Sequence, residues 1–181
     1  FPGRALRIGF VSADFREHPV ARFLMPFLEH RDRVQFEIVC YSDVQRADAV
    51  TTRIQSLADA WHIVAGMPDE SLAQLLRSHR IDVLIDLAGH TNGNRLLTFA
   101  RRPAATQVTF LGYPDTTGMS AMDHRITDEL ADPAGAEGRH VEKLLRLSGC
   151  FLCYPLHKDL PDISPLPAQS NGFITFGSFN N

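Results

Sequence analysis

Leu6-Arg7-Ile8-Gly9-Phe10-Val11-Ser12-Ala13-Asp14-Phe15-Arg16-Glu17-His18-Pro19-Val20-Ala21 reads as a short buried strand, a polar loop and a helix entered through a proline. The strand is predicted over 6–12, with apolar residues on both sides of Gly9. Pro19 suits the first helical position, where the N–H it lacks would be unpaired anyway. From Ala21 to Leu28 the apolar spacing remains compatible with a helix. The loop between holds Asp14 and His18, the two side chains here best suited to proton chemistry. In an open α/β sheet, ligands gather at the carboxyl ends of strands, where helix N-termini offer N–H groups to anions. A carboxylate and an imidazole thus fall where a phosphorylated ligand is expected.

Outward from this stretch, strand and helix signals alternate. Val34 to Tyr41 reads as a strand entering a core, and Asp48 to Leu57 as a helix with Val50, Ile54 and Leu57 on one face. Ala60 to Val64 is a short strand candidate. Pro68-Asp69-Glu70 opens a helix whose buried stripe is Leu72, Leu75 and Leu76. Ile81 to Leu87 is the clearest buried strand, followed by the Gly-punctuated loop Gly89-His90-Thr91-Asn92-Gly93-Asn94 and a helix over Leu96 to Ala100. Strands are predicted over Ala105 to Leu111 and Met122 to Asp128, a break over Pro133 to Gly138, and a sheet-edge strand over Glu142 to Leu147. This pattern predicts an α/β, Rossmann-like, mostly parallel sheet with helices on both faces, occupying residues 1–153. Pro155, Pro161, Pro165 and Pro167 mark an extended linker over 154–172, and the strand-like run from Phe173 to Phe179 begins a further unit over 173–181. Both ends of the chain read as cut from something longer.

The composition narrows the functional classes. With 181 residues, 44% hydrophobic and 22% charged, the chain is long enough for one α/β domain with a real core. A net charge of −3 gives no electrostatic reason to expect nucleic acid or an anionic membrane. No apolar run approaches the roughly 20 residues of a membrane span, and three cysteines make no disulfide framework, so a reducing cytoplasm is the expected setting. Cys150 and Cys153 form a C-x-x-C with His157 four positions on, but the pair falls in a strand-like run whose positions three apart face opposite sides. Two ordinary cysteines are expected there rather than a metal site.

Three polar segments follow buried strands: Asp14 to Pro19, Gly89 to Asn94 and Gly112 to Gly118. In a parallel sheet all three reach one edge and converge on one pocket. None is a P-loop or a G-x-G-x-x-G, and no Ser sits in a nucleophile elbow. His18 is the functional candidate; His90 reads equally as a ligand contact or a solvated loop residue. Asp86 and Asp115, near strand ends, are expected to accept backbone hydrogen bonds. The other histidines (His30, His62, His79, His124, His140 and His157) are read as structural or surface residues without polar company.

The blocks Arg7 to Pro19, Asp86-Leu87-Ala88-Gly89-His90-Thr91, Arg101-Arg102-Pro103-Ala104-Ala105-Thr106-Gln107-Val108 and Leu111 to Asp123 together resemble the O-GlcNAc transferase (SPINDLY-like) family, at the amino-terminal lobe of its catalytic region. The terminal Phe176-Gly177-Ser178-Phe179-Asn180-Asn181 resembles the start of that family's second lobe. The resemblance implies a two-lobed GT-B-type glycosyltransferase that moves N-acetylglucosamine from UDP-GlcNAc to Ser or Thr hydroxyls of proteins, with inversion and without a metal or other cofactor. It implies His18 as the cleft histidine and Asp14 as the nearby carboxylate considered for moving the proton. Pro19, Val20, Leu111, Gly112 and Pro114 are implied as donor contacts, and His90 and Thr91 as neighbouring substrate-binding positions. The implied partners are a UDP-sugar, a protein or peptide acceptor, the second lobe and TPR repeats in the parent chain. The fragment alone is expected to be inactive.

Two positions depart from the pattern. Val20 stands where animal members commonly carry a hydroxyl residue, and Asp115 where many relatives have Gly. The alternatives left open are another donor (GDP-fucose or UDP-glucose), a UDP-sugar epimerase on the same scaffold, and a non-catalytic binding lobe. An epimerase needs a further set of carboxylates facing the sugar. A receiver-like lobe needs an acidic cluster at the end of the first strand, where Asp14 is alone, and a Lys at the end of a late strand, where none is placed to serve.

Overall fold

A computed structural model describes residues 3–155 and 160–178. Seven strands form one sheet in the order β3-β2-β1-β4-β5-β6-β7: β1 (Leu6–Ser12), β2 (Phe36–Ser42), β3 (Ala60–Ile63), β4 (Val83–Asp86), β5 (Thr106–Thr109), β6 (His124–Asp128) and β7 (Lys143–Leu147). Every neighbouring pair is parallel. The α/β, Rossmann-like sheet predicted above is therefore present, and it is parallel throughout.

The helices are α1 (Pro19–His30), α2 (Ala49–Leu57), α3 (Asp69–Ser78), α4 (Leu96–Phe99) and the five-residue α5 (Pro167–Asn171). Alternate residues of the central strands divide the core in two. Ile8, Phe10, Ile38, Cys40 and Ile85 pack with Leu24 and Leu28 of α1 and Ile54 of α2. Val11, Val39, Tyr41 and Leu84 pack on the opposite face with Leu72 and Leu76 of α3 and Phe99 of α4. Such near-continuous apolar strands belong in a sheet covered on both sides. Gly9 leaves room where its neighbours crowd: a Cβ there would meet Leu84, Ile81 and Tyr41 at 3.0, 3.1 and 3.3 Å.

The chain runs from β1 to β2 and β3 on one side, then crosses to β4 on the other flank of β1 and continues to β7. This reversal leaves a crevice at the carboxyl ends of β1 and β4, the topological switch point.

Two expectations fail toward the carboxyl end. Cys150 and Cys153 lie beyond β7 in irregular backbone, both exposed, rather than in a strand. The described part of the run from Phe173, residues 173–178, forms no strand, and Phe173, Ile174 and Phe176 are exposed. A strand needs a partner edge, and no other strand among the described residues lies alongside. The predicted linker is irregular over 160–166 and then interrupted by α5. His157, part of the expected linker and residues 179–181 of the expected further unit lie outside the described residues.

Candidate active site

β1 ends at Ser12, whose hydroxyl accepts the Asp14 amide at 2.9 Å and turns the chain. Asp14 is buried at the floor of the loop, with Arg16 Nη2 at 3.3 Å from its Oδ1. His18 is the N-cap of α1, in extended backbone. Its Nδ1 accepts the Val20 amide proton at 3.3 Å and stands 3.7 Å from Asp14 Oδ2. The ring nitrogen is thus placed between a donor and an acceptor. With the Val20 N–H on Nδ1, the neutral ring carries its proton on Nε2; a turn toward Asp14 favours the proton on Nδ1 and leaves the Nε2 lone pair open. Nε2 has no protein partner among the described residues.

The loop after β2 holds this segment in place. Asp48 caps α2 in a reciprocal box with Thr51, its Oδ1 accepting the Thr51 amide at 2.8 Å. Its Oδ2 accepts the Glu17 amide at 2.7 Å. The Glu17 bond first, then the Thr51 bond, hold the Asp48 carboxyl below the usual carboxylate range. Asp43 is gripped by Arg95 from Nε at 2.9 Å and Nη2 at 3.1 Å, and Arg95 also donates to the carbonyls of Val64 and Met67. One guanidinium therefore joins the loops after β2, β3 and β4.

Asp86 closes β4 and is fully buried. It accepts the amides of Ala88 at 3.1 Å and Gly89 at 2.7 Å and the Thr109 hydroxyl at 3.0 Å. Burial pushes its carboxyl upward, and these bonds offset only part of that shift. Gly89 has φ +55° and lies where a Cβ would be 2.3 Å from Tyr113 Cβ. His90 is exposed; its Nε2 lies 2.9 Å from the Thr117 carbonyl and its ring meets Tyr113 edge-on. The loop after β4 is thus tied to the loop after β5. Gly112 crosses so close to β4 that a Cβ would stand 2.0 Å from the Leu87 carbonyl oxygen.

From across the sheet, Glu142 pins this second loop. Its carboxylate accepts the hydroxyls of Thr116 and Thr117 and the Thr117 amide. Burial raises the Glu142 carboxyl, but the donors from Thr116 and Thr117 outweigh it, and the net shift is downward.

These loops enclose a crevice of about 810 Å³. Asp14, His18 and Thr91 line it, with Arg16, Asn92 and Gly93 beside them and Asp43, Gln45, Arg46 and Asp48 across from them. The first two predicted segments therefore meet directly, and Gly93 approaches Ala13 closely enough that a Cβ would be 2.8 Å from the Ala13 Cβ. The third segment joins through His90 and Thr117 rather than by lining the crevice. Pro19 is exposed on the first turn of α1, whereas the Val20 side chain is buried in the core. Leu111, at φ +66°, packs partly buried against the same core. Pro114 is exposed beside a separate cavity of about 480 Å³ with Asp132 and His140.

The four residues of the β2 loop escaped the sequence reading. Asp48 carried a signal as an N-cap ahead of Thr51, but its bond to Glu17 has no local signature. Three histidines read as lacking polar company do have it: His140 Nε2 lies 3.0 Å from buried Asp132, His79 Nδ1 lies 2.8 Å from the Tyr41 hydroxyl, and His30 Nδ1 lies 2.9 Å from the Pro26 carbonyl. No group of three His, Cys, Asp or Glu among the described residues is arranged to hold a metal ion. No helix among them is long and apolar enough to cross a membrane.

The signature of glycosyl transferase family 41 matches residues 1–162. The chain is 45% identical over 184 residues to a probable UDP-N-acetylglucosamine–peptide N-acetylglucosaminyltransferase SPINDLY of Arabidopsis thaliana, covering 99% of this chain and 20% of that protein. It is 34% identical over 152 residues to the UDP-N-acetylglucosamine–peptide N-acetylglucosaminyltransferase of Caenorhabditis elegans, covering 82% of this chain and 13% of that one. A solved structure of a mutant Thermobaculum terrenum O-GlcNAc transferase superposes with a TM-score of 0.86 at 44% identity, over 91% of this chain and 32% of that one. The chain spans about a fifth of the length of the SPINDLY relatives it matches. By sequence and fold together, this chain belongs to glycosyl transferase family 41.

Proposed function

We propose that this chain is the amino-terminal catalytic lobe of a protein O-GlcNAc transferase, working across a cleft with a second lobe supplied by the parent protein. The observation that carries this reading is the His18–Asp14 pair: an imidazole with Nε2 open at a crevice, and Nδ1 between the Val20 N–H and a buried carboxylate. In the proposed reaction the acceptor Ser or Thr oxygen forms a bond to the sugar's anomeric carbon as the bond to the diphosphate oxygen breaks. The hydroxyl proton passes to His18 or Asp14, directly or through one water, and UDP departs. Inversion follows from a single displacement. The residues of this lobe supply proton handling and positioning. Charge stabilisation of the departing diphosphate falls to the second lobe, and no metal or other cofactor takes part.

The loops after β4 and β5 are the proposed seat of the sugar, with Leu111, Gly112, Pro114, His90 and Thr91 around it and Pro19 at the head of α1. A second reading, with a different nucleotide sugar as donor, rests on the identity of residue 20, a valine without a hydroxyl. Incubating the full-length parent with a lysate and separate UDP- and GDP-sugars, read by mass of the modified proteins, tests both. Labelling from UDP-GlcNAc supports the first reading, and labelling from another donor alone supports the second. Transfer from none overturns both. Robust transfer by residues 1–181 alone would overturn the role given to the second lobe.

A further inference from the structure

The strand order gives the crevice two sides. β1, which carries Asp14 and His18, lies between β4 and β2. On the proposed reading, the sugar sits on the β4–β5 side. The β2 side, built by the loop from Asp43 to Asp48, is then the side from which the acceptor polypeptide arrives.

The charges on that side are mostly spent. Asp43 is held by Arg95, Asp48 by the Glu17 and Thr51 amides, and Arg16 by Asp14. Of the charged side chains lining the crevice, Arg46 alone has no ion pair or hydrogen bond among the described residues. It is exposed, next to Gln45, whose amide is also unpaired. Arg46 caps no helix end and joins no pair of loops, unlike Arg95. A guanidinium offers up to five donors in a planar fork suited to a carboxylate.

We infer that Gln45 and Arg46 form an acceptor subsite that selects an acidic side chain, Asp or Glu, near the Ser or Thr to be modified. This rests on the transferase reading above. Adjacent strands lie about 4.8 Å apart and an extended peptide advances about 3.3 Å per residue. The selected carboxylate therefore lies about two or three residues from the acceptor hydroxyl, with the reach of the arginine included. The donor diphosphate is not the occupant, because Arg46 stands across β1 from the loops proposed to hold the donor.

The test uses the full-length parent protein and a library of peptides with one central Ser or Thr and mixed residues at the four positions on either side. Modified peptides are sequenced by mass spectrometry with the donor that supports transfer. Wild type should enrich Asp and Glu two or three positions from the acceptor by about two- to fivefold, the range of an exposed ion pair, and less in high salt. Arg46→Glu should reverse the preference toward Lys and Arg, and Arg46→Ala should abolish it, both with the donor KM unchanged. No acidic enrichment in wild type, or the same enrichment in Arg46→Glu, overturns the inference while leaving the transferase reading standing. A raised donor KM in Arg46→Ala overturns it in favour of a diphosphate contact. Absence of transfer from every donor overturns the transferase reading, and this subsite with it.

Discussion

Asp48 Oδ2 holds the Glu17 amide at 2.7 Å, across 31 residues of sequence, while Oδ1 of the same carboxylate caps α2. The loop that presents His18 is therefore latched to a helix on the neighbouring strand's connection. Asp48→Ala should lower the thermal midpoint of the intact protein by removing the cap. It should also lower transfer about tenfold or more, because small misplacements of a reacting group are costly. Asp48→Asn, which keeps one acceptor oxygen, should fall between. Equal activity in Asp48→Ala and wild type would separate the latch from the site.

The latch has a pH dependence. The Asp48 carboxyl lies below its ordinary value in the folded protein, chiefly through the Glu17 bond. A depressed carboxylate contributes stability that is present above the unfolded value, about 4, and is lost as pH falls through the folded one. Glu142 and Asp132 share that sign. In both, burial pushes upward and is outweighed, for Glu142 by Thr116 and Thr117 and for Asp132 by Thr127, Arg125 and the His140 charge. Unfolding measured from pH 7 to pH 3 should show stability falling below about pH 4, less steeply in Asp48→Ala.

His18→Ala and Asp14→Asn should each lower transfer by the full-length parent, by about 10² or more if the group takes the acceptor proton. Their pH–rate profiles separate the roles. Loss of the acidic limb in His18→Ala assigns the base to the imidazole, whereas retention of that limb passes the role to Asp14. Unchanged rates in both variants would remove the pair from the mechanism.

Gly112 and Gly118 make a matched contrast. A Cβ at Gly112 would overlap the Leu87 carbonyl, whereas at Gly118, with φ +68°, nothing lies within 4 Å. Gly118→Ala should cost about 1–2 kcal/mol for its left-handed backbone. Gly112→Ala should cost about 3 kcal/mol or more, because one chain must move. Chemical denaturation of the two variants checks the order.

Thiol labelling tests the carboxyl-terminal geometry. Cys40 is buried and its thiol is pushed up to about 12 by burial, while Cys150 and Cys153 are exposed and free. A disulfide-exchange reagent at pH 8 should label two thiols quickly and the third only on unfolding.

The sheet was legible because its signals are local. The predicted β1 matches its observed bounds, and Pro19 begins α1 as its missing N–H required. Convergence of the first two strand-end loops on one crevice followed from a parallel sheet, while the loop from Gly112 to Gly118 meets them only through His90 and Thr117. What escaped was pairing across long separations. Arg95 to Asp43, Asp48 to Glu17 and Glu142 to Thr117 join residues whose neighbours in sequence carry no trace of the partner. The run from Phe173 misled for the complementary reason: apolar alternation marks a strand only where another strand offers its edge.

The central place of β1 also bears on how the chain folds as it is made. Ile8 pairs with Ile38 on one flank but with Val83 on the other, 75 residues later. At typical synthesis rates β4 follows β1 by on the order of ten seconds. During that interval β1, β2 and β3 can pair, while the edge of β1 that β4 will take stays open. An open edge of that kind templates contact with other chains. The strand that ends in the Asp14–His18 loop thus carries an unpaired edge during synthesis until β4 arrives and pairs with it.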